Sequence, residues 1–72
     1  MNAQTTTKCN IIKVQVPNSA ANAFDIIAFE KFPDMVGEDI QGDFWTTFEF
    51  MVENEEEEAM IDRFHTGFMS DI

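Results

Sequence analysis

Positive charge is scarce in this chain of 72 residues: four Lys or Arg stand against 14 Asp or Glu, a formal net charge of −10 at pH 7. That scarcity excludes a protein that grips DNA, RNA or an anionic membrane through a basic patch of its own. Cysteine occurs once, as Cys9, which excludes an internal disulfide and a cysteine-built zinc site and fits a reducing compartment. No apolar stretch approaches the roughly 20 residues that a membrane helix needs. Met1 to Thr7 is polar and uncharged, without the basic start and apolar run of a signal peptide. A soluble, cytoplasmic protein is expected, in the host cytoplasm if the source is viral.

Aromatic residues are present in strength. Phe supplies eight and Trp one, and apolar residues make up 44% of the chain. Such a chain buries enough apolar surface to fold, so the disordered class is excluded. The length allows one domain with a small core, burying roughly 60% of the unfolded surface. Residues 1–7 read as a flexible lead-in and residues 8–72 as the domain.

Hydrophobic periodicity divides that domain. From Lys8 to Val16, Ile12, Val14 and Val16 alternate with Lys13 and Gln15, the period of a half-buried strand that Pro17 ends. Asn18 and Ser19 are N-cap types, and a helix is expected over Ala20 to Phe32, closed by Pro33. Its stripe is Phe24, Ile27 and Ala28, widened by Ile26 and Phe29. Asp34 to Ile40 reads either as a short strand interrupted by Gly37 or as loop. Gln41-Gly42-Asp43 then turns into a strand with Phe44, Thr46, Phe48, Phe50 and Val52 on one face. Trp45, Thr47, Glu49, Met51 and Glu53 occupy its other face. Asn54 and Glu57 have capping-box spacing, opening a helix with Ile61, Phe64 and Phe68 on its buried stripe. Arg63 and His65 suit its end, Gly67 its C-cap, and Phe68 to Ile72 either a last short strand or more helix.

The order β-α-β-β-α, with or without that last strand, predicts an α+β, ferredoxin-like two-layer sandwich: one antiparallel sheet with both helices on one face. If Asp34 to Ile40 were loop, a plain β-α-β-α chain would result.

Catalytic chemistry finds little material. His65 and Cys9 are single copies far apart in sequence, and no nucleophile elbow, phosphate loop or H-x-x-x-H spacing occurs. Asp34, Glu38, Asp39 and Asp43 lack the alternation of a calcium loop. Neither enzyme activity nor a cofactor nor a metal is expected.

The distribution of charge is more informative. Residues 33–72 hold twelve acids against Arg63 alone, and no positive side chain lies between Lys31 and Arg63. Solubility explains an acidic first helical turn, but not such one-sided charge elsewhere, since like charges repel in a compact state. From Glu55 to Asp62, five acids fall along about 10 Å of helix, against one charge per roughly 1.7 Å on duplex DNA. The pattern predicts a nucleic-acid mimic, like phage-type inhibitors of host defence systems in composition. It would dock in the basic groove of a protein partner that binds nucleic acid, without binding nucleic acid or membrane itself. The expected contact residues are Asp39, Asp43, Glu49, Glu53, Glu55, Glu56, Glu58 and Asp62, with Trp45 and Met51. The alternative is a homodimeric regulatory or adaptor module that docks through the open sheet face bearing Trp45 and Met51.

Overall fold

A computed structural model describes residues 10–72; Lys8, Cys9 and the lead-in over residues 1–7 lie outside that range. The elements run β1 (Asn10–Pro17), α1 (Asn18–Lys31), β2 (Val36–Gln41), β3 (Trp45–Val52) and α2 (Glu55–Ser70). The three strands form one antiparallel sheet in the order β1-β3-β2, and the architecture is the α+β, ferredoxin-like sandwich expected. Asp34 to Ile40 thus contributes a strand. No helix among the described residues is long and apolar enough to cross a membrane.

Alternation builds the core. Opposite partners share a face, so Ile12, Val14 and Val16 of β1 lie beside Phe50, Phe48 and Thr46 of β3. Both helices cover this face. Val16, Phe24, Ala28, Phe48, Phe50, Val52 and Ile61 are buried. Phe24 is the hub: its ring centroid lies 4.8 Å from that of Phe48, 6.2 Å from Phe50, 5.1 Å from Phe64 and 5.0 Å from Phe68. One α1 side chain therefore joins the sheet to α2.

The apolar arc of α1 is narrower than its sequence suggests. Ile26 and Phe29 are exposed, because the sheet is only three strands wide and α1 meets it through Phe24 and Ala28. Phe44 also leaves the core. It precedes β3, and its side chain is 78% exposed.

Neither Asn18 nor Ser19 caps α1. The N-cap position falls on Pro17, with no side-chain cap bond. The Asn18 side-chain amide instead donates to the carbonyl oxygens of Gly42 at 3.0 Å and Asp43 at 3.2 Å, and its Oδ1 accepts from the Thr46 hydroxyl at 2.7 Å. Its backbone N–H donates to the Phe44 carbonyl at 3.0 Å. Asn18 thus fastens the start of α1 to the β2–β3 turn and satisfies Thr46, the one buried polar residue among those described. Asn18→Ala should cost about 1–3 kcal/mol, because Thr46 loses its partner, whereas Ser19→Ala should leave the thermal melt unchanged.

In β2, the register with β3 shifts between Val36 and Asp39. Gly37 lies at this bulge, where an added Cβ would stand 3.0 Å from the Glu49 carbonyl oxygen. Only glycine lets the backbones approach so closely without displacement.

The start of α2 follows its sequence. Asn54 Oδ1 accepts from the Glu57 N–H at 2.8 Å. The Glu57 carboxylate accepts from the Glu53 N–H at 2.8 Å, one residue earlier than in the usual capping box. The end of α2 does not. Gly67 lies inside the helix, which runs to Ser70 with Asp71 as its C-cap, so residues 68–72 add no strand. Phe68 and Met69 pack against the core through this extension, and their burial offsets the roughly 1 kcal/mol that a helical glycine costs. Arg63 and His65 are consequently mid-helix, not at a helix end.

Candidate interaction surfaces

Helical spacing sorts the acids of α2. Ile61, Phe64 and Phe68 take the buried stripe, which leaves Glu55, Glu58 and Asp62 (i, i+3, i+7) as a row along the flank beside β1. Glu57 turns back to its capping role and is half-buried. Glu56 lies off the row, one residue after Glu55. Glu53 extends the negative field at the N-terminal end of α2, where it borders a shallow hollow with Asp34, Met35, Met51 and Glu57.

The remaining acids sit elsewhere. Glu49 points to the sheet face opposite the helices, where its carboxylate lies 3.9 Å from Lys13 Nζ; this is the one ion pair among the described residues. It therefore does not add to the α2 row, although the two are close in sequence. Asp39 is level with Phe48 and borders a cleft of about 270 Å³ between α1 and β2, with Asn22, Asp25 and Gln41. Asp43 lies in the β2–β3 turn, a β3 length away from Glu53, roughly 25 Å for eight residues. The acids singled out in the sequence thus occupy four places: the flank and N-terminal end of α2, the outer sheet face, the α1–β2 cleft and the β2–β3 turn.

Trp45 and Met51 do face away from the helices. Trp45 is 46% exposed, and Ile40, Ile11 and Met51 are exposed too. They do not form one apolar patch. Ile11 pairs with Met51 at one end and Pro17 with Trp45 at the other. Between them run the Lys13–Glu49 pair and a 3.3 Å bond from Gln15 Nε2 to Thr47 Oγ1. A polar band divides the face.

One further contact has no local signal in the residue pattern. His65 Nε2 donates to the Gln15 carbonyl oxygen at 2.7 Å, and the ring also packs edge-on to Phe24, 6.1 Å between centroids. His65 therefore bridges α2 to the outer side of β1, a link over 50 residues that no local motif encodes. Among the described residues no group of three or more His, Cys, Asp or Glu side chains is arranged to hold a metal ion.

Comparison of the chain with protein-family models, with curated proteins and with solved structures finds no match.

Proposed function

We propose that this chain is a non-catalytic acidic binding protein that inhibits a nucleic-acid-binding partner by occupying its basic groove, in the manner of a phage-type inhibitor of a host defence system. One observation carries the reading: Glu55, Glu58 and Asp62 share the flank of α2 beside β1, Glu53 and Glu56 add charge at the end where that helix begins, and no cation among the described residues pairs with any of them. Unpaired acids held on a helix repel one another at a cost to the fold, and a basic partner relieves that repulsion. The row from Glu55 to Asp62 spans about 10 Å, with two intervals of about 5 Å. This is sparser than a duplex, whose charges recur every roughly 1.7 Å. The surface matches a short stretch of phosphates, thickened at one end by Glu53 and Glu56.

A pull-down from a bacterial lysate tests the proposal. The immobilised chain, loaded at low salt and washed with rising sodium chloride, should release a nucleic-acid-binding protein as salt increases. Retention of a partner insensitive to salt would refute it.

That second outcome would favour the adaptor or homodimer reading, which the exposure of Trp45, Ile40, Ile11 and Met51 supports. The polar band across their face weighs against it, since docking surfaces of that kind are contiguous apolar patches.

A further inference from the structure

The outer edge of β1 has no strand paired with it among the described residues. Antiparallel strands alternate between residues that bond the neighbour and residues whose N–H and C=O turn away. The bond from the Asn18 N–H to the Phe44 carbonyl extends the β1–β3 register by one bonded pair beyond Val16 and Thr46. Counting back by twos, Val16, Val14 and Ile12 bond β3, while Gln15, Lys13 and Ile11 turn their backbone outward. The His65 bond to the Gln15 carbonyl reaches it from that outer side, in agreement. It covers one group of the edge and leaves those of Lys13 and Ile11.

The two edges of the sheet differ. β2 is bulged at Gly37 and Glu38 and bears Glu38 and Asp39, features that discourage strand pairing. β1 pairs with β3 in unbroken register over eight residues. Beside β1 runs a groove of about 550 Å³ in which Ile12, Lys13 and Val14 form one wall and Glu55, Glu58, Ala59 and Asp62 the other, three acids against one cation.

We infer that this edge takes an extended segment of a protein partner as a fourth strand, with Lys or Arg at alternate positions. The inference rests on the acidic-binding reading above and names the form in which the basic partner is held. The segment's backbone bonds Ile11 and Lys13. Its cationic side chains lay their methylene stems on Ile12, Val14 and Ala59 and bring their charged heads to Glu55, Glu58 and Asp62. A second copy of this chain is a poor occupant, because β1 against β1 would bring two acidic rows and two net charges of −10 together.

The test uses the full-length, isotope-labelled chain and a nine-residue peptide of alternating Lys and Thr at low salt. Two further peptides carry backbone N-methyl groups, one on every Lys and one on every Thr. A strand offers alternate N–H groups to its two sides, so one methylated peptide should lose at least about tenfold in affinity and the other should bind like the parent. Amide hydrogen exchange at Ile11 and Lys13 should slow on binding. If both methylated peptides bind like the parent and exchange at Ile11 and Lys13 is unchanged, strand addition is overturned while the acidic-binding reading stands. If no peptide binds, the inference falls, and the broader reading falls with it only if the pull-down also yields no salt-released partner. Slow exchange at Ile11 and Lys13 before peptide is added would overturn the inference as well. Concentration dependence would then assign the edge to a second copy, and its absence to another segment of this chain.

Discussion

Replacement of Phe24 by alanine should unfold this domain at room temperature. The side chain is fully buried and meets two aromatic rings on β3 and two on α2, so truncation removes the contact between the layers. A Phe→Ala change in a core costs about 3–5 kcal/mol. A core in a chain of this length rarely supplies more than about that amount. Neighbouring rings cannot close the gap, because Phe48 and Phe50 are fixed by the sheet register and Phe64 and Phe68 by one helix. Denaturant titration followed by circular dichroism should show no folded baseline for Phe24→Ala. Phe29→Ala, on the same helix but 63% exposed, should shift the midpoint little. A cooperative Phe24→Ala transition within about 1 kcal/mol of the parent would mean that the two layers hold together by other contacts.

Neutralisation of the acidic flank should have the largest effect on binding. Glu53, Glu55, Glu56 and Glu58 become Gln and Asp62 becomes Asn; Glu57 is kept because its carboxylate binds the Glu53 N–H, and Glu49 because it faces Lys13. The fold should survive, since Gln is nearly isosteric with Glu and as good a helix former. At low salt the variant should melt higher than the parent, because repulsion within a Debye length of about 10 Å is removed. Association with the basic partner should slow by about ten- to a thousandfold, the range of electrostatic steering, and its salt dependence should flatten. Equal association rates for parent and variant, each confirmed folded, would remove the acids from the account.

How far the sequence reveals this molecule depends on the range of the interaction. Period-two alternation in β1 and β3 assigns their faces, because each side chain's direction is set by its own backbone. The bond of Asn54 to the Glu57 N–H is equally local. Periodicity misplaces Ile26, Phe29 and Phe44 because it tells which way a residue points but not whether another layer covers its side chain. Asn18 and His65 escape local reading for a related reason. Each has a local role that its residue type suggests, yet each bonds a segment at least 24 residues away. Gly67 carries a stop signal that the packing of Phe68 and Met69 overrides.

The candidate site was legible to the same degree. The row of Glu55, Glu58 and Asp62 is present in the sequence as helical spacing. Glu49 is near that row along the chain, yet the alternation of β3 directs it to the opposite face. The outward groups of β1 follow from hydrogen-bond phase across the sheet, which one strand's residues do not state.

The central claim is that the acidic flank takes the place of nucleic acid on a basic partner. The most direct measurement is fluorescence anisotropy of a labelled oligonucleotide bound to the partner released by salt in the pull-down, titrated with this chain. The account predicts that the chain displaces the oligonucleotide, that displacement weakens as salt rises, and that the neutralised variant displaces it far less. An oligonucleotide that stays bound while the chain saturates the partner would show that the two occupy separate surfaces, and would contradict the claim.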